Sequence, residues 1–154
     1  MATRIGLISD THGLVRPQAL EWLRGSDLIV HAGDIVQPSI LEQLAGIAPL
    51  TAVRGNNDRG PWAARLAETA LLQVGAVGIW VLHDLADLRR HPAPPGTRVI
   101  VCGHSHKPRV EERDGLLTVN PGSAGPRRFK LPVSVGELHI EGTEVQARTI
   151  ELSP

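Results

Sequence analysis

RIGLISDTHGLVRPQALEWLRGSDLIVHAGD, residues 4–34, decides how this chain is read. Arg4 to Ser9 is an apolar run of strand length that stops at Asp10-Thr11-His12-Gly13, a loop bearing a carboxylate and an imidazole. Pro17 opens a helix that runs to about Leu23, with Ala19, Leu20 and Leu23 on its apolar face and Gly25 ending it. Asp27 to His31 is a second short strand, and it exits into Ala32-Gly33-Asp34. Further on, Pro38 to Ala45 is helical, with Ile40, Leu41 and Leu44 at helix spacing. Leu50 to Val53 is a third strand, leaving into Arg54-Gly55-Asn56-Asn57-Asp58. Strands that alternate with crossover helices lie parallel, and such sheets bind ligands outside the carboxyl ends of their strands. Each polar motif so far sits at one of those ends.

The second half has a different rhythm. Residues 69–82 form two apolar runs around Gly75 and Gly78, which predicts a hairpin, and His83 stands at its far end. The prolines of 91–96 predict a loop, and Arg98 to Cys102 is a buried strand that exits into Gly103-His104-Ser105-His106. Val110 to Glu112 and Leu116 to Val119 pair about the turn Asp114-Gly115. Residues 120–132 are too rich in glycine and proline to be regular, and 133–141 with 144–152 alternate as a closing antiparallel hairpin about Gly142-Thr143. About nine or ten strands against two or three helices exceed one sheet of ordinary width. The expected fold is a single αββα domain over residues 1–154, two stacked mixed β-sheets flanked by helices, with the loops of one edge converging.

Composition narrows the function classes. The 16 basic and 16 acidic residues cancel, so no overall field draws the chain to nucleic acid or an anionic membrane. No apolar stretch approaches the roughly 20 residues a bilayer requires. The single cysteine, Cys102, has no intramolecular partner, and the N-terminus lacks a signal-peptide pattern, so a cytoplasmic protein is expected. One Phe and three Trp leave little surface for base stacking, so nucleic acid is not expected as the main partner.

Taken singly, each motif has an ordinary reading. Asp10 and His12 fit a turn with a surface imidazole, Asp34 fits a helix cap, and Asn56-Asn57-Asp58 fits a turn. Together they point to a metal. Asp10, His12, Asp34, Asn56, His104 and His106 all follow apolar strands, and His83 follows the run Ile79 to Leu82. Seven nitrogen and oxygen donors suit two adjacent divalent ions that share a carboxylate. His31, His91 and His139 fall outside the pattern, and His31 is read as a packed core residue. Imidazole with carboxylate suits manganese, iron, zinc or nickel better than magnesium or calcium, with manganese the first expectation. Two such ions, two aspartates and a bridging hydroxide leave a formal charge of roughly plus one, which favours an anionic phosphoester substrate.

The ordered blocks DTH, GD, GNND, a later His and GHSH, from Ile5 to about Ser123, resemble the calcineurin-like metallophosphoesterase superfamily. The short chain and the NPGS at 120–123 are similar to its small bacterial and archaeal phosphodiesterases. The resemblance implies one ion held by Asp10, His12, Asp34 and His106, and a second by Asp34, Asn56, His83 and His104. Asp34 would bridge them, with a hydroxide as second bridge and nucleophile. By the same resemblance Asp34, Asn56 and His12 are the catalytic expectations, and the substrate is a small phosphodiester. Many members carry a histidine directly after the GN asparagine, where this chain has Asn57. Leaving-group protonation must then come from His12, from water or not at all, which favours esters with good leaving groups. Asp84 is a second departure, because small members often have glycine after the histidine matched by His83. Arg16 and Arg127 are the expected substrate contacts, with Arg54, Arg128, Lys130 and Ser123 as further candidates. Two alternatives remain: a phosphomonoesterase, and a non-catalytic scaffold resembling the retromer sorting subunit, whose metal site is degraded. Oligomeric state stays open, a homo-oligomer included.

Overall fold

Apolar runs become strands here, and the period-two alternation along each strand decides which layer a side chain faces. The computed structural model describes residues 2–128 and 130–152. Residue 129, inside the stretch expected to be irregular, and residues 1, 153 and 154 of the expected domain lie outside the described residues. The first sheet has the order β10-β9-β1-β2-β3, formed by β1 Ala2–Ile8, β2 Leu28–His31, β3 Leu50–Ala52, β9 Ser134–Glu141 and β10 Glu144–Glu151. β1, β2 and β3 are parallel, and β9 and β10 join antiparallel. The second sheet has the order β4-β5-β6-β8-β7, formed by β4 Thr69–Val74, β5 Val77–Leu82, β6 Thr97–Val101, β7 Arg109–Arg113 and β8 Leu116–Asn120. β5, β6 and β8 are parallel, with β4 and β7 antiparallel at the two edges.

Alternation separates two layers of core. Ile5 and Leu7 of β1, Val30 of β2, Leu138 and Ile140 of β9, Val77, Ile79 and Val81 of β5, and Val99 and Val101 of β6 meet in one buried cluster between the sheets. The opposite faces look outward. Ile8 and Ile29 pack with Ala19 and Leu23 of α1 (Pro17–Leu23) and with Ile40 and Leu44 of α2 (Pro38–Ala45). Both helices start on a proline, whose missing N–H removes nothing from the first turn. A short α3, Pro61–Ala64, adds Trp62 to the same cluster. On the far side, Leu82, Ile100 and Cys102 are covered by Leu85 and Leu88 of a 3-10 helix, Leu85–Arg89. The four layers are therefore present, but among the described residues the outer layer on the second sheet is one 3-10 segment. α3 and this segment are the elements not expected from sequence.

One edge collects the carboxyl ends of β1, β2 and β3 from the first sheet and of β5 and β6 from the second. All seven candidate donors follow those five ends.

Candidate metal centre

The loops after β1, β2 and β6 share a backbone device. Asp10 and His12, Asp34 and Val36, and His104 and His106 all have positive φ, at residues two apart in each loop. Left-handed backbone is costly for non-glycine residues and persists only where surroundings impose it. Here hydrogen bonds impose it. The N–H groups of Asp10, His12 and Gly13 donate to the carbonyls of Gly33, Asp34 and Ile35, at 3.0, 3.0 and 2.9 Å, so the first two loops run side by side. Asp58 is buried and ties in the third loop: its Oδ1 accepts from the N–H of Ile35 and Val36, and its Oδ2 from the N–H of Asp34 and Gly55. Gly55 has no room for a side chain, because a Cβ there would fall on Asp34 Oδ1. The NPGS loop braces the rest. Asn120 Nδ2 donates to Gly103 O at 3.0 Å and Ser123 Oγ to Asp10 O at 2.9 Å.

This scaffold brings five of the seven donors into a compact group. Asp10, His12 and His106 place ligand atoms within 4.8 Å of one another, and so do Asp10, Asp34 and His83. His12 Nε2 lies 3.5 Å from Asp34 Oδ2 and 3.9 Å from Asp10 Oδ1. His83 Nε2 lies 3.3 and 3.8 Å from the same two oxygens, and His106 Nε2 lies 3.4 Å from Asp10 Oδ1. Asp34 Oδ2 thus faces an imidazole on either side. Asp10 also belongs to both groups, but its Oδ2 is occupied by Ser9 Oγ at 2.7 Å and the His104 N–H at 3.0 Å. The other two donors stand in front of this group. Asn56 and His104 are exposed, and His104 Nδ1 lies 3.2 Å from Asn56 Oδ1. They open onto a cleft of about 430 Å³ lined also by Arg54, Glu68, Asp84 and Arg90.

The electrostatics call for a cation. Burial alone pushes the Asp34 carboxyl up, but His83 and the Asn57 N–H groups overcome it and hold the carboxyl well below its usual range. Burial likewise pushes His83 down, yet the Asp34 and Asp10 carboxylates outweigh it and carry the imidazole up to about 9. His83 Nδ1 donates to Ala32 O at 2.7 Å, which leaves Nε2 facing the carboxylates. His12 is pushed down, chiefly by burial. Asp10 Oδ1, His12 Nε2, His83 Nε2 and His106 Nδ1 are buried without a hydrogen-bond partner among the described residues. Buried polar atoms without a partner cost about 1–3 kcal/mol each, so a cation bound among them would stabilise the cluster. The imidazole and carboxylate donors fit a divalent transition ion.

Other expected residues fall into three roles. His31 is fully buried: its Nδ1 accepts from the Gly33 N–H at 3.1 Å, its Nε2 meets Thr11 Oγ1 at 3.0 Å, and burial pushes it down to about 4. Ser123 is buried and structural. Arg16 Nη2 donates to Gly125 O at 3.3 Å, which ties the start of α1 to the loop beneath Asp10, while its buried Nε has no partner among the described residues. Arg127 is exposed, and the loop residue whose charge reaches His12 is its neighbour Arg128. Lys130 is exposed, and Arg54 pairs with Glu68 at 3.0 Å in the cleft. Asn57 donates its N–H to Asp34 Oδ1 at 2.8 Å and its Nδ2–H to Oδ2 at 2.9 Å, so it orients the aspartate between the two imidazoles. The roles of Asn57, Asp58 and Asn120 were missed in sequence; the only visible signal was the density of side-chain amides and carboxylates beside glycines in GNND and NPGS.

Comparison with known proteins bears on the family and the fold. A model of the calcineurin-like phosphoesterase superfamily domain matches residues 3–143. A probable metallophosphoesterase of Methanothermobacter thermautotrophicus is 34% identical over 95% of this chain and 91% of its own length. A phosphodiesterase of Methanocaldococcus jannaschii is 24% identical over 96% of this chain and 99% of its own. Vacuolar protein sorting 29 of Cryptosporidium parvum superposes with a TM-score of 0.78 at 20% identity, covering 99% of each chain, and so shares the fold.

Proposed function

The chain belongs to the calcineurin-like phosphoesterase superfamily, and from that premise we propose that it is a two-ion phosphodiesterase acting on a small phosphodiester. The observation that carries this reading is the convergence of Asp10, His12, Asp34, His83 and His106, whose ligand atoms fall into two groups within 4.8 Å that share Asp10. Asp10, His12, Asp34 and His106 would hold one ion, and Asp34, Asn56, His83 and His104 the other. Manganese is the first candidate, with iron, zinc and nickel behind it. When bound, the ions would supply Lewis acidity for attack of water on phosphorus and for charge on its oxygens.

The protein's own residues do the remainder. Asp34 joins the two sets, because its Oδ2 faces an imidazole of each. Asn57 keeps it there. Asn56 and His104 form the boundary between the centre and the open cleft, so substrate enters on their side. His12 turns Nε2 toward both carboxylates and would be committed to a bound ion, and the Asn57 amide is committed to Asp34. Neither is free to protonate a leaving alkoxide, so water does so, and esters with good leaving groups react best. A reducing compartment such as the cytoplasm suits the single buried thiol of Cys102, which burial pushes up to about 12 and renders unreactive. Among the described residues no helix is long and apolar enough to cross a membrane.

The test is hydrolysis of bis-(p-nitrophenyl) phosphate and p-nitrophenyl phosphate by manganese-loaded protein. The diester is expected to react faster, with Asp34→Asn and His106→Asn inactive. A faster monoester would make the protein a phosphomonoesterase. No hydrolysis with any of the four metals, together with no uptake of metal, would overturn the enzymatic reading in favour of a scaffold.

A further inference from the structure

Asp84 is the one departure in the metal-bearing loops that the mechanism has not used. Its carboxylate is held in two places. Oδ1 accepts the Ala86 N–H at 3.0 Å and so caps the 3-10 helix Leu85–Arg89, while Oδ2 points back to within 3.5 Å of His104 Nε2. The opposite nitrogen of the same ring, Nδ1, lies 3.2 Å from Asn56 Oδ1. The two contacts place opposite demands on the ring proton. Where an ion is to be shared by His104 and Asn56, Nδ1 must present a lone pair beside the asparagine oxygen, and the proton must sit on Nε2. A carboxylate is the group that stabilises an N–H at Nε2.

We infer that Asp84 is a positioning residue for His104: it fixes the Nε2–H tautomer and ring orientation that leave Nδ1 free to bind the second ion. The inference rests on the two-ion reading above. It gives this chain a carboxylate–histidine–metal relay at a site where an unsupported, exposed histidine would sample both tautomers and several rotamers. His83 has the equivalent support from Ala32 O, a buried backbone carbonyl. His104 sits at the cleft and takes its support from a side chain that is anchored by its own helix cap.

Two substitutions separate charge from capping. Asp84→Asn keeps a carbonyl oxygen for the Ala86 N–H but turns an amide donor toward Nε2, which favours the wrong tautomer. Asp84→Gly removes the cap and leaves Nε2 to water. Titration of metal-free protein with manganese, followed by calorimetry, is expected to show two ions in wild type. One of the two steps should fall about 10-fold or more in Asp84→Asn and less in Asp84→Gly, with the other step unchanged in both. Long-range proton–nitrogen spectra of the zinc-loaded protein should show His104 protonated at Nε2 in wild type. Two ions in wild type with both affinities unchanged in Asp84→Asn would overturn the role of Asp84 alone. Fewer than two ions in wild type would overturn the two-ion reading and this inference with it.

Discussion

At the scale of single residues, Asn57 and Val36 show what the centre demands. The Asn57 side chain is spent on Asp34 Oδ2 at 2.9 Å. Asn57→Ala removes that bond and keeps the backbone one. Hydrolysis of an activated diester is expected to fall about 10- to 100-fold, with a urea midpoint close to wild type. An unchanged rate would mean that Asp34 is positioned without it. Val36 occupies the second left-handed position of its loop, where the sister loops carry His12 and His106, and its φ of 72° is unusual for a β-branched side chain. Releasing that strain should gain roughly 1–2 kcal/mol, against about 1 kcal/mol of added chain entropy for glycine. Val36→Gly should therefore stay within about 1 kcal/mol of wild type by urea unfolding. A loss well beyond that would show that the valine side chain packs more than its 39% exposure suggests.

At the scale of elements, the loops were more legible as ligand bearers than as a connected structure. Each candidate ligand follows an apolar run, so Asp10, Asp34, His83 and His104 could be singled out from local pattern alone. Asp58 could not, because its partners at Asp34, Ile35 and Val36 lie more than 20 residues away and leave no periodic trace. It looked like a turn residue and is a strap. Asp58→Ala strips four backbone N–H groups of a charged acceptor, and should cost on the order of 3 kcal/mol or more in urea unfolding and weaken metal binding. Asp58→Asn, which keeps one carbonyl oxygen, should fall between. If both variants match wild type, the loops are held by other means. The four residues of α3 are too few to show a helical period, and the 3-10 helix lies in a stretch whose nearby prolines argued for a loop. The longer α1 and α2 were legible because proline starts each and leucines repeat at helix spacing.

For the whole molecule, the two buried histidines set opposite limbs of a stability profile in the metal-free state. His31 is held down at about 4, against about 6.5 in an unfolded chain, so the unfolded state binds more protons between those values. Stability from His31 is complete above about pH 6.5 and is lost as pH falls toward 4. His83 is carried up to about 9, so its contribution is complete below about pH 6.5 and is lost as pH rises toward 9. Each limb should span on the order of 3 kcal/mol, which puts the optimum near neutrality. Urea midpoints in chelator should trace this dome, and His83→Asn should flatten its alkaline side. An alkaline limb that persists in that variant would remove His83 as its cause. The sandwich itself was legible from the number of strands, and the strands that read as continuous apolar runs are those buried on both faces. The left-handed pairs at Asp10 and His12, and at His104 and His106, carry a last consequence. They fix the spacing of the donors through hydrogen bonds that exist without any ion, so the aperture is cast before the guest arrives. A rigid aperture does not shrink or swell to suit the radius of whatever it is offered, and this chain should sort divalent ions by size more sharply than a flexible loop of the same composition.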